Sequence, residues 1–111
     1  MTDTQVSEIV KSQIGVAGET TNLHGVNLRK ALVPPQEITV IDRQVLKGKI
    51  RDRLQRVWLV LVENPDSGTG YRIVADHEGT TFGLASEGFP NDKHLVLCGW
   101  YGDFMTTFQG M

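Results

Sequence analysis

The run Val57-Trp58-Leu59-Val60-Leu61-Val62 is the longest unbroken apolar stretch in the chain. Bounded by Arg56 and Glu63, and rich in β-branched and aromatic residues, it reads as a strand over residues 56–63. Successive strand residues point to opposite faces. Alternation therefore puts Val57, Leu59 and Leu61 on one side and Trp58, Val60 and Val62 on the other. A strand apolar on both faces must be covered on both.

Downstream, the turn-rich Asn64-Pro65-Asp66-Ser67-Gly68-Thr69-Gly70 leads to a second strand over 71–75. Asp76-His77-Glu78-Gly79 reads as a tight turn, residues 80–86 as a strand, 88–92 as a loop and 93–100 as a last strand. Upstream, Val26, Leu28 and Leu32 at even positions predict a short strand over 26–33, ended by Pro34-Pro35. Ile38, Val40 and Ile41 predict another over 36–42. Residues 43–56 carry Leu46, Ile50 and Leu54 at the four-residue spacing of a helix, although Gly48 costs such a helix about 1 kcal/mol relative to alanine.

Helices are expected at the two ends. Thr2 and Gln5 stand at capping-box spacing, Val6, Ile9, Val10 and Ile14 follow with helical periodicity, and Gly15 fits a stop, which predicts a helix over 3–14. Residues 15–25, with Gly15, Gly18, Thr20, Thr21, Asn22 and Gly25, read as a loop. Asp103 is a candidate N-cap for a helix over 103–110, with Phe104, Met105, Phe108 and Met111 on its apolar face. The expected fold is α+β, a single domain over 1–111: an antiparallel β-meander of five or six strands with a short helix at each terminus. Two short helices cover one side of such a sheet. A second protomer would cover the other, so a homo-oligomer is expected, most simply a C2 dimer.

Composition bounds the function classes. The 111 residues are 40% hydrophobic, 22% charged and 7% aromatic, enough for one core and unlike a collagen-like, disulfide-stapled or fully disordered chain. Eleven Lys and Arg against thirteen Asp and Glu lack the surplus of a dedicated nucleic-acid binder. The longest apolar run is far short of the about 20 residues of a membrane-spanning helix, and no secretory signal pattern opens the chain. One cysteine, Cys98, forms no intrachain disulfide, so a cytoplasmic setting is expected, with no membrane partner.

The charge is unevenly placed. Arg43, Lys47, Lys49, Arg51, Arg53 and Arg56 stand against Asp52 alone, a net +5 over residues 43–56, which leaves −7 on the rest of a chain whose formal charge is −2. The segment offers no aromatic residue for base stacking, and a helix broken at Gly48 presents only Gln44 and Gln55 as amides. Specific nucleic-acid binding is therefore not expected. The charge is read instead as a match for the acidic body of a neighbouring protomer.

Chemistry-bearing residues are sparse. Consecutive residues of the Asp76-His77-Glu78 turn diverge, so they do not converge on one ion, and no metal site is expected. Alternation places His94, Val96, Cys98 and Trp100 on one face of the last strand, with His94 about 13 Å from Cys98, beyond the reach of a nucleophile–base pair. Cys98 reads as a buried, inert thiol. No catalytic set and no cofactor motif is visible. The ligand-binding candidates are Trp58, Tyr71, Arg72, His94, Cys98 and Trp100, large or polar side chains able to line one pocket.

Three stretches carry a resemblance: Leu32-Val33-Pro34-Pro35-Gln36-Glu37-Ile38-Thr39-Val40; Val57-Trp58-Leu59-Val60-Leu61 through Gly70-Tyr71-Arg72-Ile73-Val74 to Phe82-Gly83-Leu84-Ala85; and Gly99-Trp100-Tyr101-Gly102-Asp103-Phe104. Over roughly residues 23–111 the chain resembles small uncharacterised bacterial proteins carried on mobile integron gene cassettes. The resemblance implies a bacterial cytosolic setting and self-association, and no mechanism. The expected function is a self-associating module that binds a small ligand or a protein partner. The alternatives are an enzyme using Cys98 or a histidine, and an antitoxin- or immunity-like partner protein.

Overall fold

The computed structural model of the protein describes residues 1–16 and 20–111, so part of the loop expected over 15–25, Gly18 included, lies outside the described residues. Helix α1 is Asp3–Ile14 and the single-turn α2 is Leu28–Ala31. The strands are β1 Leu32–Leu46, β2 Lys49–Asn64, β3 Thr69–Ala75, β4 Phe82–Ser86 and β5 Leu95–Gly102, and α3 is Phe104–Gln109. Both terminal helices start as their sequences dictate. The Thr2 hydroxyl accepts from the Gln5 amide while the Gln5 side chain accepts from the Thr2 amide, and the Asp103 carboxylate accepts from the Thr106 amide.

Sequential strands pair antiparallel, as a meander requires, but the sheet does not stay open. β5 returns to β1 in parallel, Val40 opposite Leu95 and Ile41 opposite Val96, and closes a five-stranded barrel. This closure answers the two-faced strand differently from the expected second protomer. Val57, with Val40, Val74 and Ala85, fills the barrel interior, and Ile38, Leu59, Leu95, Leu97 and Trp100 pack around them. Trp58, Val60 and Leu61 join Ile73, Phe82 and Leu84 in a larger outer core beneath α1 and α3. Leu61 lies with Val60 rather than opposite it because the β2–β3 register shifts between Leu59 and Leu61, a bulge that breaks strict alternation. Phe104 sits at the centre of the outer core, edge-on to Phe82 and stacked with Phe108.

Three local expectations are corrected. Residues 28–31 form a helical turn rather than strand, because Asn27 caps the Lys30 amide and burial of Leu28 and Ala31, three residues apart, suits a helical face. Pro34-Pro35 does not end a strand. The pair sits inside β1 at a register shift between Leu32 and Gln36, where missing N–H groups are tolerated. Residues 43–56 are not helical. Lys47 and Gly48 have φ of 51° and 74°, the left-handed pair that a two-residue hairpin turn demands, and β1 and β2 run in unbroken register from Leu46–Lys49 to Gln36–Leu59.

At the β4–β5 seam a Cβ on Gly83 would lie 2.3 Å from the Gly99 carbonyl oxygen and 2.9 Å from the Trp100 ring. Gly83→Val should cost about 1–3 kcal/mol by overpacking. Phe104→Ala should cost about 3–5 kcal/mol by opening the outer core. Urea denaturation followed by tryptophan fluorescence measures both, and wild-type midpoints in the two variants would contradict this packing.

Candidate functional site

β1 meets β5 only at Val40 and Ile41, and β2 meets β3 from Trp58 onward. Among the described residues, 42–46 therefore pair only with 49–53, and 54–57 only with 38–41, so that residues 42–57 belong to a two-stranded ribbon whose hairpin end runs past the barrel in a molecule of 45 × 30 × 23 Å. Such a ribbon has little core of its own and is marginal in water when isolated.

The cross-strand pairs sort the ribbon into two faces. One carries Ile41, Arg43 and Val45 opposite Leu54, Asp52 and Ile50. The other carries Asp42, Gln44 and Leu46 opposite Arg53, Arg51 and Lys49. Val45, Leu46, Ile50 and Leu54 are 59–66% exposed. Four large apolar side chains this open on a 16-residue segment exceed the scatter expected of a surface. Phe89, from the loop after β4, adds its ring beside the first face.

That loop is fastened to the ribbon by one side chain. Arg43 donates to both oxygens of Asp52 (2.8 and 2.9 Å) and to both of Asp92 (2.9 and 3.1 Å), and its guanidinium lies 5.1 Å from the Phe89 ring centre. The Arg43 and Asp92 side chains are 15% and 12% exposed. Bonding to Arg43 holds the carboxyls of Asp52 and Asp92 below the ordinary carboxylate range, and the two carboxylates raise Arg43 further. Arg53 pairs with Asp42 and Arg56 with Glu37. Three of the six basic residues of this segment are thus matched within the chain rather than held for a neighbour. Lys47, Lys49 and Arg51 have no ion-pair partner among the described residues.

The six ligand-binding candidates are dispersed. Trp58 is buried in the outer core, its Nε1 without a hydrogen-bond partner among the described residues, whereas Trp100 packs against the barrel interior. Tyr71 is exposed. Arg72 is used structurally, donating to the carbonyls of Gly68 and Gly70 and to Glu87, whose carboxyl this bond lowers. His94 is exposed and lines a cavity of about 380 Å³ with residues 87–90, 92, 93 and 95, none of them another candidate.

Cys98 is exposed, not buried, with Sγ 3.4 Å from the Ser86 hydroxyl. The cause is a register shift on β5: Ala85 faces Leu97 and Leu84 faces Gly99, so Cys98 is skipped and Trp100 packs with Leu95 and Leu97 instead of sharing its face. Among the described residues no group of three His, Cys, Asp or Glu side chains could hold a metal ion, and no helix is long and apolar enough to cross a membrane. The sequence periodicity that suggested a helix over 43–56 concealed the ribbon; the Lys47-Gly48 pair was the signal that could have revealed it. No protein-family model, curated protein or solved structure matches the chain.

The Arg43 clamp has a pH dependence of defined sign. Both carboxyls are depressed in the folded protein, so their contribution is complete above the unfolded carboxylate value of about 4 and is lost as pH falls below it. Amides of residues 88–93 should lose exchange protection on titration from about pH 5 to pH 2.5 before the Phe104 core resonances move. Arg43→Met should give the same loosening at neutral pH. A loop equally protected in both would contradict the clamp.

Proposed function

We propose that the protein is a non-catalytic protein-interaction module of the bacterial cytoplasm whose contact element is the ribbon of residues 42–57. The observation that carries this reading is the ribbon itself: strand with exposed apolar side chains, an outer edge that no barrel strand pairs with among the described residues, and little core beyond Val57. Strand addition to an exposed edge satisfies its backbone groups and covers its apolar face together. The dispersal of Trp58, Tyr71, Arg72, Cys98 and Trp100 supports a module over an enzyme or a pocket for a small ligand. The resemblance to cassette-borne proteins supports the bacterial setting.

A β-ribbon, unlike the expected broken helix, has the dimensions to enter a major groove. The ion pairs of Arg43, Arg53 and Arg56 nevertheless leave Lys47, Lys49 and Arg51 as the basic residues of the segment without an ion-pair partner among the described residues, enough for weak and salt-sensitive association. Gel shifts at about 150 mM salt should show no sequence-dependent binding below about 1 µM.

The decisive experiment places a photo-crosslinking residue at Ile50, on the ribbon, or at Glu78, in the β3–β4 turn, in cells that make the protein. A discrete protein adduct from position 50 and none from position 78 is expected. Equal labelling at both positions, or none at 50, would overturn the reading.

A further inference from the structure

We infer that the occupant of the ribbon edge is a second copy of this chain, added antiparallel along β2 with the twofold axis passing through Leu54. The inference rests on the interaction-module reading and names its partner.

The hydrogen-bond phase of β2 is set by its turn. Leu46 and Lys49 flank the two-residue turn and form the closing bonded pair, so Lys49, Arg51, Arg53 and Gln55 bond to β1. The N–H and C=O groups of Ile50, Asp52, Leu54 and Arg56 therefore point away from β1. Trp58, next in that phase, faces β3 opposite Ala75, which fixes where the free edge ends.

A twofold axis matches residue i with a mate at a constant sum of numbers, so few registers are possible. An axis at Asp52 sets Asp52 against its own copy and Arg51 against the partner's Arg53. An axis at Arg53 sets that arginine against itself. An axis at Gln55 sets Leu54 against the partner's Arg56. The axis at Leu54 differs from all of these. It pairs Leu54 with the partner's Leu54, Asp52 with the partner's Arg56, Arg53 with the partner's Gln55 and Arg51 with the partner's Val57. No like charges stand opposite each other, and the Asp–Arg pair occurs twice by symmetry. The outward backbone phase also permits it, because Leu54, Asp52 and Arg56 all present free N–H and C=O groups. Arg56 and Asp52 are exposed enough to reach across while keeping their bonds to Glu37 and Arg43. Pairing along 51–57 would extend two barrels into one continuous sheet and cover Leu54 on both copies.

Sedimentation equilibrium of the full chain measures the association, and oxidation of single cysteines in a Cys98→Ser background measures the register. The expected mass is twice 12.3 kDa at micromolar concentration. Leu54→Lys should weaken dimerisation at least tenfold while leaving the circular dichroism spectrum and urea midpoint of the barrel unchanged. Leu54→Cys should form an intersubunit disulfide, since a bonded antiparallel pair holds Cα atoms about 5.5 Å apart. Ile50→Cys should not, since its copies lie about 27 Å apart in this register. A 12.3 kDa species at about 100 µM, a dimer indifferent to Leu54→Lys, or cross-linking at Ile50 would each overturn the inference. A discrete photo-adduct at position 50 with a different protein would overturn it too, while leaving the interaction-module reading intact.

Discussion

The parallel contact of β1 with β5 at Val40–Leu95 and Ile41–Val96 is the constraint on which the rest of the structure depends. Without it, β2 would carry apolar side chains on two faces with cover for one. With it, Val57 and Leu59 turn into a barrel interior, and α1 and α3 need cover only the outer core. The contact is short, and Arg43 stands two residues beyond Ile41, bonded to Asp92 of the loop that leads into β5. Seam and clamp reinforce each other: the ion pair fixes the approach of β5, and the barrel holds Asp92 within reach.

The same seam decides where the barrel stops. β1 and β2 are 15 and 16 residues long, whereas β3, β4 and β5 have seven, five and eight. Strands twice as long as their neighbours outrun the barrel, and the excess is the ribbon. Its unpaired edge and open apolar face are what natural sheets ordinarily suppress with charge, and Arg51, Arg53 and Arg56 do that in part. Charge of this kind blocks indiscriminate pairing while admitting a register in which acid meets base, and the sequence around Leu54 provides one.

Much of the fold was legible because local chemistry and tertiary context agree. The capping box at Thr2, the Asp103 cap and the apolar face of α3 behave as their residues predict, and the run 57–62 is a strand with apolar residues on two faces, although Leu61 changes sides at the bulge. The failures share a physical origin. A helix and a hairpin both accept Leu46, Ile50 and Leu54, and only the Lys47-Gly48 turn distinguishes them. Bulges at Leu59–Leu61 and around Cys98 shift side chains between faces, which alternation alone cannot foresee. Barrel closure is a long-range pairing of four residues with no local signature. The six ligand-binding candidates share large or polar side chains, but the fold distributes them between the outer core, the barrel interior and the surface.

Residue-resolved amide exchange on the dilute protein tests most directly the claim that closure leaves one edge of β2 free. Two sets of amides on the same strand should diverge: Arg51, Arg53 and Gln55, bonded to β1, exchange slowly, while Ile50, Asp52, Leu54 and Arg56 exchange at nearly the unprotected rate. On concentration the second set should slow as well. Protection of Ile50, Asp52, Leu54 and Arg56 in the dilute monomer, or equal rates for the two sets at every concentration, would contradict the account.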